Sequence, residues 1–274
     1  MQINQVVCGD CADVMATFPD EYIDLTVTSP PYDNLRTYNG YNFNFEKIAQ
    51  QIFRVTKQGG VLVWVVADQT IDGSESGTSF KQALYFKEIG FNIHDTMIWT
   101  KPGFQAAGDT QVRYPQTFEY MFVLSKGKVK TFNPIKDRQP ARTGRKKSGT
   151  IRLPDGSVRD ISGKGTPYSN TPFRFNVWHI NNEQSNLIRC HPAQFPEQLA
   201  NDHIISWSNS NDVVLDPFCG SGTTLISAIK NNRNFIGIDI SQEYVNLSKK
   251  RINNLLTQQT LNLNGDNIDY PETI

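Results

Sequence analysis

The sequence predicts an α/β fold built on an open, mostly parallel sheet. Short runs of apolar and β-branched residues alternate with stretches whose apolar residues recur at helical spacing, the order typical of strands joined by helices. A proline-rich turn follows one strand, and a glycine-rich turn joins another to a helix. At 274 residues the chain can bury a sizeable core as one large domain with a modest insertion.

Residues 1–125 alternate strands with helices. Residues 23–28 form a β-branched strand that Ser29-Pro30-Pro31-Tyr32 must end, because two consecutive prolines stop a strand. Apolar spacing predicts a helix after it, closed by the Gly59-Gly60 pair, and an almost wholly apolar strand follows. These elements are the helix 45–57, the strand 61–67, the helix 79–89 and the strands 93–100 and 119–124.

Residues 126–176 differ in character and predict an inserted, loop-rich subdomain. Gly, Pro, Ser, Thr and basic residues dominate, and the apolar periodicity disappears. Between Lys126 and Lys164 twelve lysines and arginines face three aspartates, although the net charge of the whole chain is zero. Such a concentration can form a phosphate-binding face, but a basic run taken by itself is better explained as a solvated, mobile loop.

Residues 177–274 return to the alternating pattern. Regular order returns at residues 176–180, and the predicted elements that follow are a helix at 196–208, a strand at 212–216, a helix at 223–231, a strand at 234–239 and a helix at 242–256. The sequence thus predicts three regions, residues 1–125, 126–176 and 177–274.

Composition disfavours a membrane protein and a metal protein. No apolar run is long enough to cross a bilayer, and the first residues lack a secretory signal, so we expect a cytoplasmic location. Cys8 and Cys11 form a Cys-x-x-Cys pair, but no second pair follows at zinc-site spacing, and Cys190 and Cys219 are far away. Because a structural zinc site needs four ligands, we expect no metal.

The glycine-rich turn over residues 216–223 indicates a nucleotide-like cofactor. Gly220 and Gly222 allow close approach of the backbone to a ligand at the start of a helix. Asp239 ends the next strand, where a carboxylate can accept hydrogen bonds from ribose hydroxyls. The turn matches neither a dinucleotide fingerprint nor a phosphate-binding loop, which favours a smaller adenosine-bearing cofactor.

At these motifs the sequence resembles the DNA amino-methyltransferases. Asp216-Pro217-Phe218-Cys219-Gly220-Ser221-Gly222-Thr223 resembles their S-adenosylmethionine motif, and Thr28-Ser29-Pro30-Pro31-Tyr32 resembles their catalytic motif. Residues 191–199 are similar to the segment before the cofactor strand, and Cys8-Gly9-Asp10 resembles a short acidic motif. The catalytic motif comes first and the cofactor motif last, which is the order of the permuted β group. The resemblance covers nearly the whole chain outside the insertion.

The resemblance implies a Rossmann-like S-adenosylmethionine-dependent methyltransferase fold in which the insertion is the target-recognition region. It implies that Asp239 holds the ribose, Asp10 the adenine amine, and that Asp216 lies beside the methionine portion. The implied cofactor residues are Asp10, Cys11, His191, Gln194, Phe195, Asp216, Phe218, Gly220, Ser221, Gly222, Thr223 and Asp239.

Double-stranded DNA is the implied substrate, with lysines on phosphates and arginines on guanine edges. The candidate DNA-binding residues are Arg138, Arg142, Arg145, Lys146 and Lys147. A cognate restriction endonuclease and a homodimer are partners that the sequence leaves open. A bacterium, an archaeon or a phage is the expected source.

The catalytic motif suits methylation of an exocyclic base amine. The Ser29 hydroxyl and the Pro30 carbonyl can accept the hydrogens of the amine, Pro31 stiffens the loop, and Tyr32 offers a ring on which an extruded base can stack. Methylation of carbon 5 of cytosine would need an activated cysteine, typically in a Pro-Cys pair, and the sequence has none.

Ser29 indicates N4 of cytosine as the target, because this family mostly has Asp or Asn at that position in N6-adenine enzymes. N6-adenine methylation by the same mechanism remains an alternative. A catalytically inactive DNA-binding scaffold is a further alternative, as is a methyltransferase that acts on RNA or a protein amide. The motif order disfavours that last class.

Overall fold

The structure, a computed structural model, describes residues 2–31, 43–101, 112–140, 144–181 and 196–263, with side chains up to residue 258. The chain divides into two compact units. Met1–Asn133 and Asn176–Ile274 together form what we call the sheet unit, and Pro134–Phe175 form what we call the inserted unit.

The described residues contain twelve strands and six helices. The strands are β1 (Gln5–Cys8), β2 (Ile23–Thr28), β3 (Thr56–Val66), β4 (Thr70–Ile71), β5 (Ser74–Glu75), β6 (Asn92–Thr100), β7 (Phe118–Ser125), β8 (Thr150–Arg152), β9 (Val158–Asp160), β10 (Val177–His179), β11 (Val213–Asp216) and β12 (Asn234–Asp239). The helices are α1 (Cys11–Ala16), α2 (Phe45–Val55), α3 (Thr78–Glu88), α4 (Glu197–Trp207), α5 (Thr223–Lys230) and α6 (Gln242–Leu263).

Eight strands form one sheet in the order β1, β12, β11, β2, β3, β7, β6, β10. Strand β7 runs antiparallel to its neighbours β3 and β6, and the other neighbouring pairs are parallel. The predicted α/β class with a mostly parallel sheet is therefore confirmed. Strands β4 and β5 form a separate two-stranded ribbon, and so do β8 and β9 in the inserted unit.

The core lies between the central strands and the helices α1, α2 and α3. The apolar side chains of β2 and most of those of β3 have no exposed surface, as expected for strands covered on both faces. Trp64 is completely buried in β3, with its ring centroid 5.1 Å from that of Phe86, and its Nε1 donates a hydrogen bond of 2.8 Å to Gln82 Oε1. That hydrogen bond pairs the indole N–H, whose burial without a partner would destabilise the fold.

Each strand and helix predicted from the sequence is present, with ends that differ by a few residues in most cases. The main exception is the Gly59-Gly60 pair, which does not close α2 but lies inside β3. The backbone of Gly59 has φ +80°, and a Cβ there would lie 2.8 Å from the Lys130 Cβ, so glycine is needed for close contact with a neighbouring segment. The sequence missed β1, α1 and both short ribbons.

The inserted unit contains more regular structure than a loop-rich region would suggest. Strands β8 and β9 pair from Thr150 with Asp160 to Arg152 with Val158, and Lys146 bridges to Pro167. Within the described part of the chain, no helix is long and apolar enough to span a membrane.

Candidate active site

The predicted catalytic and cofactor motifs lie at one edge of the sheet. Strand β2 pairs in parallel with β11, which pairs with β12, which pairs with β1. The chain runs from β11 to its neighbour β12 on one side and from β2 to its neighbour β3 on the other. The connections therefore diverge between β11 and β2, and the crevice at such a switch point is where open α/β sheets bind ligands.

The glycine-rich turn over residues 216–223, which we call the cofactor turn after its predicted role, begins at Asp216, the last residue of β11. Its side chain is 3% exposed, and its Oδ1 accepts hydrogen bonds from Thr28 Oγ1 at 2.6 Å and from the Phe218 backbone N–H at 3.1 Å. Burial raises the pKa of the Asp216 carboxyl to about 6, and the hydrogen bonds from Thr28, Thr224 and Phe218 oppose that rise. The carboxylate is thus mostly ionised at neutral pH, in a site that disfavours its charge.

Gly220 and Gly222 shape the turn as the sequence predicted. Both adopt positive φ, +50° and +84°, which favours glycine. A Cβ on Gly222 would lie 2.9 Å from Ser248 Oγ on α6, so the turn packs directly against that helix. Helix α5 begins at Thr223, and Ser221 and Thr223 are both buried.

Two residues of α6 that the sequence did not reveal hold this turn. Ser248 Oγ donates to the Gly220 carbonyl at 2.6 Å, and Arg251 Nη1 donates to the Ser221 carbonyl at 2.6 Å and to its Oγ at 3.0 Å. Neither residue belongs to a recognisable motif, so only the tertiary packing identifies them.

Asp239 lies at the end of β12, beside the cofactor turn. Its Oδ2 accepts from the Gly220 N–H at 2.9 Å, and its Oδ1 accepts from the Ser241 N–H at 2.8 Å. Burial raises the pKa of this carboxyl, although both backbone donors oppose the rise. Asp216 and Asp239 make no ion pair with any other described residue, so the turn presents two acidic groups without a counter-cation.

Asp10 and Cys11 follow β1 at the same edge of the sheet. The Asp10 side chain caps α1, because its Oδ1 accepts from the Ala12 N–H at 2.8 Å and from the Asp13 N–H at 3.1 Å. Cys11 is the first residue of α1 and is buried. The contact of Asp10 with a cofactor adenine stays a prediction beside this capping role.

The catalytic motif starts directly after β2. Pro30 is buried, whereas Ser29 and Pro31 are partly exposed. Phe218, in the neighbouring turn, packs its ring 5.8 Å from the Phe43 ring and 6.3 Å from the Trp64 ring. Predicted site residues that lie outside the described residues are Tyr32, Arg142, His191, Gln194 and Phe195.

The candidate DNA-binding side chains of the inserted unit differ in their contacts and in their exposure to solvent. The Arg138 guanidinium stacks 4.0 Å from the centroid of the Phe175 ring, and its Nε donates to the Phe173 carbonyl at 3.0 Å. Arg145 and Lys146 are exposed, and Lys147 is half-buried. All residues of β8 and β9 are exposed, including Arg152 and Arg159.

Comparison with known proteins decides the family. A family model described as DNA methylase, that of the N6/N4 methyltransferases, matches residues 23–250. The chain belongs to this family. It is 53% identical over 256 residues to the orphan methyltransferase M.BamHII of Bacillus amyloliquefaciens, covering 90% of this chain and 91% of that protein. It is 30% identical to the type II methyltransferase M.BglII of Bacillus subtilis, covering 90% of this chain and 68% of that protein.

Solved structures of family members have the same fold. A DNA modification methylase of Thermus thermophilus in complex with S-adenosyl-L-methionine superposes with a TM-score of 0.63 at 25% identity, covering 92% of this chain and 93% of that one. PvuII DNA methyltransferase (cytosine-N4-specific) superposes with a TM-score of 0.67 at 21% identity, covering 95% and 93%, and that likeness concerns the fold alone. The predicted Rossmann-like methyltransferase fold is confirmed.

The protein is thus an S-adenosylmethionine-dependent DNA methyltransferase of the N4/N6 class, as the resemblance implied. This edge of the sheet can accommodate the cofactor, because Asp216 and Asp239 are acidic groups beside the glycine-rich turn with no basic partner among the described residues. The positive φ of both glycines opens the backbone to close approach.

Proposed function

We propose that the protein methylates N4 of cytosine in a base extruded from double-stranded DNA. The observation that carries the proposal is the hydrogen bond from Thr28 to Asp216, because it fixes the start of the Ser29-Pro30-Pro31-Tyr32 loop against the cofactor turn. Ser29 in that loop supports cytosine over adenine, given the residue usual at this position in each class of the family.

The loop would act on the amine by accepting its hydrogens. The Ser29 hydroxyl and the Pro30 carbonyl are the two acceptors, and hydrogen bonds to them favour a tetrahedral amine whose lone pair is freed from the ring. S-adenosylmethionine supplies an electrophilic methyl group on a sulfonium. Orientation of the amine toward it is the contribution of the loop, and positioning of this kind can lower a barrier by several kcal/mol.

Extrusion of the base follows from the depth of this site. Pro30 is buried at the edge of the sheet, so an amine inside a duplex cannot reach it, and enzymes that modify bases flip the target out of the stack. We assign Tyr32 as the ring on which the extruded base stacks.

For DNA recognition we propose the β8–β9 ribbon together with Arg145, Lys146 and Lys147. A two-stranded ribbon fits the major groove, and Arg152 and Arg159 project from this exposed ribbon. Two backbone hydrogen bonds close the turn that joins its strands: Leu153 N–H donates to the Ser157 carbonyl at 2.8 Å, and Gly156 N–H donates to the Leu153 carbonyl at 2.9 Å. The partners that Arg138 has within the unit favour a structural role for that residue.

N6-adenine methylation is the second candidate function. It is supported by the 27% identity to the DNA adenine methyltransferase YhdJ of Escherichia coli, which covers 90% of this chain and 82% of that protein. The mechanism would be unchanged, because an exocyclic amine is the nucleophile in both bases. A cognate restriction endonuclease and a homodimer stay predictions.

The test is to incubate the purified protein with unmethylated DNA and S-adenosylmethionine and to identify the modified nucleoside by mass spectrometry. N4-methylcytosine supports the proposal, and N6-methyladenine replaces it with the second candidate. The absence of either base, despite cofactor binding, contradicts both. Ser29→Ala and Tyr32→Ala should lose methyl transfer while binding the cofactor, and loss of cofactor binding would show that the loop is wrongly assigned.

The DNA contacts are tested by a matched pair of double variants. Arg152→Ala with Arg159→Ala should weaken DNA binding, and Lys249→Ala with Lys250→Ala, which removes the same charge from α6, should not. If the slope of log Kd against log salt falls for the first pair, these arginines contact phosphates; weaker discrimination between sites at unchanged slope would mean base contacts. Equal behaviour of the two pairs would exclude the ribbon.

A further inference from the structure

A buried polar cluster joins the catalytic strand to the cofactor turn. It consists of Thr28 at the end of β2, Asp216 at the end of β11 and Thr224 in α5, which are 0%, 3% and 0% exposed. The Thr28 hydroxyl donates to Asp216 Oδ1 at 2.6 Å, and the Thr224 hydroxyl donates to the Val27 carbonyl at 3.4 Å. Two separate side-chain connections therefore link the elements that carry the two motifs.

The position of Thr28 makes this link relevant to methyl transfer. It directly precedes Ser29, so a displacement of Thr28 moves the two proposed acceptors of the amine. Asp216 directly precedes the turn that binds the cofactor. The backbones of β2 and β11 pair at Leu25 with Val214 and at Thr26 with Leu215, before either motif begins. After this pairing ends, the hydrogen bond from the Thr28 side chain to Asp216 links the ends of the two strands, where their loops diverge.

We propose that Thr28 is a positioning residue, whose hydrogen bond to Asp216 sets the distance between the amine-binding loop and the cofactor methyl group. The proposal rests on the function proposed above for the Ser29–Tyr32 loop. Thr28 touches neither base nor cofactor in this role. It acts through the carboxylate of Asp216 on one side and through the backbone of Ser29 on the other.

The same strand provides a matched control. Thr26 is also completely buried, two residues earlier and on the same face of β2, but its hydroxyl has no hydrogen-bond partner among the described residues. Thr28→Val and Thr26→Val each replace a buried hydroxyl by a methyl group of similar size. Only the first removes a donor from Asp216.

The experiment compares wild type, Thr28→Val, Thr28→Ser and Thr26→Val, with total methyl transfer to DNA measured so that the identity of the base does not matter. Thr28→Val should lower kcat by about 10- to 100-fold, because small misplacements of reacting groups cost that much. Its calorimetric Kd for S-adenosylmethionine should stay within about threefold of wild type. Thr28→Ser should restore kcat, and Thr26→Val should match wild type.

A pH profile separates positioning from a structural role. Loss of the Thr28 donor raises the pKa of Asp216 further, so the acidic limb of kcat in Thr28→Val should move to higher pH. The titratable described groups near Asp216 are Asp239 from β12 and Cys219 from the turn, and they are the same in every variant. Thr26→Val should keep the wild-type profile.

Three results would overturn the proposal: wild-type kcat in Thr28→Val, an equal loss in Thr26→Val, or a loss of cofactor affinity as large as the loss of kcat. Thermal unfolding of each variant shows whether it is folded at the assay temperature, and Thr28→Ala serves as the second test if Thr28→Val is not. Methylation of adenine by all active variants would contradict the cytosine assignment and leave the role of Thr28 supported.

Discussion

The effect of replacing Asp216 by Asn on the free energy of unfolding should depend on pH. Relative to wild type, the variant should be more stable at neutral pH than at acidic pH. The wild-type carboxyl is buried, and its pKa is raised from 3.8 to about 6. A shift of this size corresponds to about 3 kcal/mol against the ionised form, at 1.36 kcal/mol per pH unit. Asn has nearly the same shape, keeps an oxygen that can accept from Thr28, and carries no charge.

The sign follows from the direction of the shift. The pKa of this carboxyl is higher in the folded than in the unfolded state, so folding favours the protonated form. The free energy of unfolding of the wild-type protein therefore falls as pH rises from about 4 through about 6. The free energy of unfolding of Asp216→Asn minus that of wild type should therefore increase with pH. The increase should total about 3 kcal/mol and be nearly complete at pH 7.

Urea unfolding of both proteins without cofactor, from pH 4.5 to 8, measures this difference and should show about 2 kcal/mol of the increase, because the rest falls below pH 4.5. Any contact that Asn makes less well than Asp shifts the difference in free energy of unfolding by the same amount at every pH. It does not change how that difference varies with pH. Asp239, whose pKa is also raised, is common to both proteins and largely cancels. A difference that stays flat with pH, or decreases, would refute the reasoning, because it would mean that Asp216 is not destabilised by its charge.

Three further variants test other parts of the structure. Asp239→Ala should weaken S-adenosylmethionine binding, measured by calorimetry, by about tenfold or more, since it removes a half-buried carboxylate that accepts hydrogen bonds beside the turn. An unchanged Kd would remove Asp239 from the site. Gly237→Ala should cost about 1–3 kcal/mol in urea unfolding, because its Cβ would lie 2.5 Å from Leu225 Cδ1 in a packed core; a neutral result would show that Leu225 can move away. Asp68→Ala should cost about 1–2 kcal/mol, because Asp68 accepts from the Ser79 N–H at 2.9 Å near the start of α3, and a stability equal to wild type would contradict that capping role.

The fold could be predicted from the sequence wherever a strand is long and buried or a helix is regularly amphipathic. Strand β3 is an example, since its apolar run has no other explanation. Strand β1 was missed because only one of its four residues is buried, which leaves no periodicity to detect. Helix α1, with six residues, is too short for apolar spacing to be distinctive.

The candidate site could be predicted only as separate motifs. The loop after β2 and the turn after β11 each have a distinctive local sequence, and the structure places them side by side. The hydrogen bonds to the turn from Ser248 and Arg251 could not be foreseen, because they depend on how α6 packs. Thr28 lies within the catalytic motif, but its partner Asp216 is 188 residues away.

The order of motifs along the chain matters less for chemistry than the order of strands in the sheet. The proposed methyl transfer needs the loop after β2 and the turn after β11 to be neighbours, and those strands are adjacent in the sheet although most of the chain separates them. Along the chain the inserted unit follows β7 and precedes β10, and neither of these strands pairs with β2 or β11. A change of length or sequence in that unit therefore leaves the pairing of β2 with β11 intact. If the inserted unit reads the target, as proposed above, its sequence can vary while the polar cluster around Asp216 stays the same.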